Sequence, residues 1–231
     1  MKHIMVLARI FSRKEWAEDF IDKGKFRMNT LNSFKSYKDE YANNVGDQLE
    51  GVISHYLGNH DIKLTMKYGD QTFDISDFES IHWHNVSISH QNIFCMFAPS
   101  VEIERKLTLE EMTGLISLQK DAEKLGEYMV IILNSQEFFN RFSRAVDKMG
   151  CRARGHLIEY RDFTQPVSLK DDEIGFVKRL EYAHQNEYRI MLDTGRNTDE
   201  FVDMEIGTLN DIAILIDTKD FNDSFKIEIK K

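Results

Sequence analysis

Two cysteines and two prolines in 231 residues are too few to frame this chain. Cys95 and Cys151 lie far apart with no Cys-x-x-Cys spacing, which leaves a disulfide scaffold or thiolate metal cluster without support and points to a reducing, cytoplasmic setting. Beyond Pro99 and Pro166, no Gly/Ser-rich linker and no internal repeat divides the sequence, so a single domain over 1–231 is expected. Long apolar runs are missing too: stretches such as 128–133 are far too short to cross a bilayer, and no membrane partner is expected. The amino terminus is charged and then apolar, but Arg9 interrupts the run and no small-residue cleavage site follows, so it reads as a strand. Positive charge is in deficit. A net charge of −9 argues against broad non-specific binding to nucleic acid, which depends on phosphate neutralisation, and leaves only a local basic groove open. A Gly-x-Ser-x-Gly elbow, a Walker-type phosphate loop and a Gly-x-Gly-x-x-Gly fingerprint are all absent, which removes most of the weight from classical hydrolase, P-loop and Rossmann readings.

What is present is enough apolar material, 42% of residues, to bury a core. Period-2 and period-3.6 patterns alternate along the chain and predict an α+β fold with mixed, largely antiparallel sheet and three to four flanking helices. A strand over 1–11 is followed by Ser12-Arg13-Lys14-Glu15, the spacing of a capping box, and a helix that stops at Gly24. Strand 25–31 precedes a polar, aromatic loop over 32–51. Alternation at Ile62, Leu64 and Met66, then Phe73 and Ile75 about Gly69-Asp70, predicts a meander up to 98. Thr108-Leu109-Glu110-Glu111 caps a helix expected to reach 125. A strand at 128–133, a helix over 136–149, and strands at 155–161, 187–192, 212–216 and 225–229 complete the pattern.

The chemistry-bearing segment is Gln185-Asn186-Glu187-Tyr188-Arg189-Ile190-Met191-Leu192. Strand alternation would place Gln185, Glu187 and Arg189 on one face and Tyr188, Ile190 and Leu192 on the other. Arg9 sits among Ile4, Val6, Leu7, Ile10 and Phe11, so its charge needs either an internal ion pair or an anionic ligand. Arg27 and Asn29 share a strand face. The loop Gly46-Asp47-Gln48-Leu49-Glu50-Gly51, in the setting of Phe34, Tyr37 and Tyr41, brings two carboxylates together if it folds as a turn; a solvated turn with Asp47 capping its own backbone is the plainer reading. His82, His84 and His90, with His55, His60 and Asp61 nearby, have even spacing but no third ligand at a site-forming distance, so no metal is expected.

Four landmarks resemble an uncharacterised family of bacterial and phage-associated domains of unknown function: Phe26-Arg27-Met28-Asn29-Thr30-Leu31, the 46–51 loop, Phe94-Cys95-Met96-Phe97, and Lys178 leading to Glu187-Tyr188-Arg189. That resemblance implies a cytosolic α+β domain and supplies no chemistry; a role in phage or bacterial defence belongs to the enzyme reading that follows. Gln185-Asn186-Glu187 also resembles the Gln/Glu-x-Glu element of ADP-ribosyltransferases, with Arg9 similar to that superfamily's dinucleotide grip and Ser87 or Ser89 to its middle serine. The second resemblance implies NAD as cofactor and a macromolecular target, protein or nucleic acid. In it Glu187 stabilises oxocarbenium-like charge, Gln185 orients the acceptor, and Arg9, Arg27 and Asn29 hold phosphate or ribose. Two other readings compete: a non-catalytic acidic module that binds a protein, and a metal-dependent hydrolase using His82, His84 and Asp47 or Glu50.

Overall fold

A computed structural model describes residues 2–35, 46–58, 62–75, 78–225 and 227. The chain begins with β1 (Lys2–Ile4), β2 (Leu7–Phe11), α1 (Lys14–Lys23), β3 (Lys25–Thr30) and the short α2 (Leu31–Lys35). Strands β4 (Val52–Leu57), β5 (Leu64–Tyr68), β6 (Gln71–Ile75) and β7 (Ser80–His84) follow, then α3 (Val86–Ser89), β8 (Asn92–Phe97) and β9 (Ser100–Glu102). The middle holds α4 (Leu109–Ile116), α5 (Lys120–Glu123), β10 (Tyr128–Ile132) and α6 (Ser135–Lys148). Next come β11 (Arg152–Leu157), β12 (Glu159–Arg161), β13 (Val167–Ser168), β14 (Val177–Arg179) and a 3-10 turn, Leu180–Gln185. The last elements are β15 (Glu187–Asp193), β16 (Val202–Glu205), β17 (Ala213–Asp217) and α7 (Phe221–Ser224).

The fold is a mixed α+β domain, as the two alternating periodicities require. Its main sheet runs β11-β15-β8-β2-β10-β17, with β3 pairing both β8 and β16. Every ladder except β12–β14 is antiparallel. One face of the sheet packs Leu7, Phe94, Val130 and Ile190 against Phe20 of α1 and Phe138 and Phe142 of α6. The opposite face splits: Ala8, Phe97 and Met129 meet Ile116, Ala122 and Phe221, while Ile93 and Met191 meet Leu31 and Phe176.

One strand edge is shared in an unusual way. β2 pairs β8 only at Ala8 opposite Phe97. The chain then leaves the sheet, forms α1, and returns as β3 to the same edge at Asn29 opposite Ile93 and Thr30 opposite Asn92. Both strands are antiparallel to β8 and hence parallel to each other, which is why a helical crossover has to separate them. Between the two contacts, residues 94–96 have no strand on that side, and the sheet carries a notch.

Among the described residues there are seven helices, of which α1, α4 and α6 are the long amphipathic ones expected from periodicity. The others span only four or five residues each, too short for a 3.6-residue pattern to declare itself. Two boundary readings differ. Arg13, not Ser12, is the N-cap of α1, and no side chain caps it; the capping box at Thr108 and Glu111 does form. The helix it opens ends at Ile116 instead of near 125, with α5 a separate turn. The first strand breaks into β1 and β2, where the Met5 N–H donates to the Pro99 carbonyl at 2.8 Å. The strand expected at 225–229 lies largely outside the described residues.

Gly24 ends α1 in the left-handed region at φ 62°. A Cβ there would lie 2.2 Å from the Gly207 carbonyl oxygen, so the position needs glycine for both reasons. Gly69, at φ 60° in the β5–β6 turn, has open space around it. Gly24→Ala should therefore lower Tm by more than Gly69→Ala, whose cost is that of the left-handed backbone alone, about 1–2 kcal/mol. Thermal denaturation of the two variants beside wild type separates the steric part from the backbone part.

Candidate functional site

The notch between β2 and β3 is filled by Arg9. Its Nη1 donates to the carbonyl of Cys95, one of the β8 residues with no strand on the notch side. The guanidinium lies over the Phe94 ring at 5.0 Å and near Phe11 at 5.8 Å. Its Nε is buried without a hydrogen-bond partner, and among the described residues no carboxylate stands within ion-pair distance of it. Burial pulls its pKa below the ordinary guanidinium value, with Cys95 and Glu187 opposing.

Beneath Arg9 lies a buried ion network. Arg189 is fully buried; its Nε donates to Glu187 Oε1 at 2.7 Å, and its Nη1 and Nη2 donate to Glu50 at 2.6 and 3.1 Å. Nη1 also reaches the Gly175 carbonyl at 2.7 Å. Lys178 Nζ donates to Glu187 Oε2 at 2.6 Å and to Gln185 Oε1 at 2.9 Å. Burial by itself would raise the Glu187 carboxyl, but Arg189 and Lys178 overcome it and hold the group well below the usual carboxylate range. Burial would lower both cations, and Glu187 with Glu50 reverses that. Cys95 is pushed up to about 12 by burial and then by Glu187, so its thiol is protonated and a poor nucleophile. The Tyr160 hydroxyl accepts from the Glu187 backbone N–H at 2.9 Å, and burial raises its pKa as well.

Arg9, Arg27, Asn29, Gln185 and Glu187 all line one cavity of about 180 Å³, together with Glu50, Lys178 and Arg189. Their arrangement differs from a simple strand face. β15 begins only at Glu187, because Asn186 takes a left-handed conformation, φ 41°, at the end of the 3-10 turn. Gln185 thus reaches the cavity from the turn, joined to Glu187 through Lys178. The rest of the alternation appears as expected, with Ile190 and Leu192 in the main core. Arg27 is exposed, bidentate to Asp203 at 2.9 and 3.2 Å, and lies 3.5 Å from the centre of the Phe201 ring.

Asp47 and Glu50 do fold into one turn, with the Glu50 N–H bonded to the Asp47 carbonyl at 2.9 Å. Their carboxylates do not act as a pair: Asp47 accepts from the Leu49 N–H and from Arg179, at 2.9 and 3.0 Å, while Glu50 belongs to Arg189. Phe34 lines the cavity; Tyr37 and Tyr41 lie outside the described residues, as do His60 and Asp61. His82 stands opposite His55 across the β4–β7 ladder, with ring centres 6.4 Å apart. His90 is drawn to Asp199 at 3.0 Å, and Ser89 accepts from Lys35 at 2.7 Å. Among the described residues no three His, Cys, Asp or Glu side chains form a metal-binding group. The sequence reading did not single out Lys178 as a site residue. It directly follows the apolar Ile174-Gly175-Phe176-Val177, but Arg179 beside it makes the pair read as an ordinary charged strand end.

No family model, curated protein or solved structure matches the chain. The ADP-ribosyltransferase, NAD and phage or bacterial-defence labels are therefore corrected, as nothing the chain is similar to carries them. The geometry gives a physical reason for the first: the Glu187 carboxylate has both oxygens taken by cations of its own chain, and Gln185 does not share its strand.

Loss of the Glu187 charge would leave Lys178 and Arg189 short of a partner, at a cost of about 3–5 kcal/mol for a broken buried pair. Glu187→Gln should therefore lower the unfolding free energy at neutral pH. Because the folded-state pKa is depressed, wild type holds this stabilisation above the unfolded carboxylate value of about 4.3 and loses it as the pH falls further. Denaturant titrations of both proteins should show the gap between them narrowing below that value.

Proposed function

We propose that the protein binds a small anion in the notch, with Arg9 as the group that meets it. The observation carrying this reading is Arg9, which lines a cavity and whose Nε is buried without a hydrogen-bond partner. Charge balance supports it: four cations, Arg9, Arg27, Lys178 and Arg189, and two carboxylates, Glu50 and Glu187, line that cavity, and Arg27 is held by Asp203. Lys178 and Arg189 are matched to those carboxylates, so the excess positive charge rests on Arg9. An anion there would accept from the Nε and offset the cost of burying the guanidinium. Glu187 and Arg189 act in this reading as the frame that fixes the cavity, and Asn29 supplies a neutral polar wall. The cytoplasmic setting belongs to the same proposal, supported by two cysteines that remain unbridged.

Titration calorimetry with inorganic phosphate, sulfate and acetate tests it. At least one should bind wild type, and Arg9→Gln should weaken that binding at least about tenfold, the loss expected for a charge-assisted hydrogen bond of roughly 1.5–3 kcal/mol. Equal affinity in the variant, or binding of none of the three to folded protein, would overturn the proposal.

A further inference from the structure

Arg9, Arg27 and Asn29 line a second cavity as well, one of about 490 Å³ with Trp16, Lys25 and Phe94 in its wall. The inner cavity, about 180 Å³, is smaller than the roughly 300–1,000 Å³ typical of ligand pockets. It has room for a head group and little more. The outer cavity falls within that range, and Arg9, Arg27 and Asn29 stand in the wall of both.

The outer cavity is furnished for a ring. Trp16 is 51% exposed on α1, whose buried side is already complete with Ala17, Phe20 and Ile21. Its neighbours on the outer side, Lys14, Glu15 and Glu18, are exposed charges, so the indole has no role in the core. Arg13 covers it at 5.0 Å. The acids of this cleft are neutralised in place, Asp19 by Lys23 at 2.7 Å and Asp203 by Arg27 at 2.9 Å, so an approaching anion meets Arg9 and Lys25 without net repulsion.

Resting on the anion reading above, we infer that the ligand is an anion carrying a planar aromatic ring, with the ring on Trp16 and the anionic group against Arg9. The shared chemistry is a phosphate ester or a carboxylate joined to a flat ring. A ring stacked on an aromatic side chain adds about five- to a hundredfold in affinity.

Calorimetry on the full chain with adenosine 5′-monophosphate, ribose 5-phosphate and benzoate, beside inorganic phosphate and acetate, tests this. Adenosine 5′-monophosphate should bind at least about tenfold tighter than ribose 5-phosphate, or benzoate at least about tenfold tighter than acetate; which pair shows the gain identifies the head group. Trp16→Leu should abolish the gain while leaving phosphate or acetate binding unchanged, and Trp16→Phe should restore most of it. Quenching of tryptophan fluorescence by the ring-bearing ligand should persist in Trp83→Phe and vanish in Trp16→Leu. If simple anions bind but the ring adds nothing, or if Trp16→Leu keeps the gain, this inference fails and the anion site stands. If no anion of either kind binds, both fail.

Discussion

The pairing of Arg189 with two carboxylates is the interaction on which the architecture around the cavity depends. A guanidinium with no solvent exposure has to be matched on the spot, because the penalty for an isolated buried charge is several kcal/mol. The match comes from its own strand and from two other segments: Glu187 two residues before it, Glu50 from the 46–51 turn, and the Gly175 carbonyl from the segment before β14. Each partner is thereby fixed relative to the central sheet. Lys178 completes the set by joining Glu187 to Gln185. A buried ionic network of this kind adds little net stability compared with apolar packing, but it tolerates few alternative arrangements.

The notch follows from topology. A chain that leaves a strand edge through α1 and returns to the same edge in the same direction must leave a gap between the two contacts. The backbone facing that gap needs partners, and Arg9 supplies one by donating to Cys95. Its guanidinium is thus part of the sheet's hydrogen bonding as well as the wall of a cleft. The same residue closes the hole and keeps one buried N–H without a hydrogen-bond partner.

Much of this was legible beforehand. Alternation marked β3, β5, β6 and β15, a short apolar run marked β8, and the 3.6-residue stripe of Phe138, Phe142 and Val146 marked α6. Arg9 stood out as a cation in an apolar strand, and it converges with Glu187, Gln185, Arg27 and Asn29 on one cavity. What could not be read were the pairings. Nothing local says that Glu50 reaches Arg189 across 139 positions, because ion pairs between remote segments have no period. The Gln185 to Leu192 stretch looked like one continuous strand since alternation is blind to a single left-handed residue, Asn186. The short β13, β14 and β16 fell below the length at which alternation can be told from chance.

The β5–β6 ribbon stands apart from all of this. Every residue of both strands is exposed, and Leu64, Met66, Phe73 and Ile75 form cross-strand pairs on one side of it. Its base is already closed: Leu57 stands opposite Ser80, and the Gly58 N–H bonds the Glu79 carbonyl at 3.0 Å. In chain-path terms the ribbon is an insertion into a hairpin whose two arms would meet without it. Among the described residues, the ribbon is a sheet of its own and none of its side chains lines the cavity or joins the ion network, so a change of its length or composition falls away from the site.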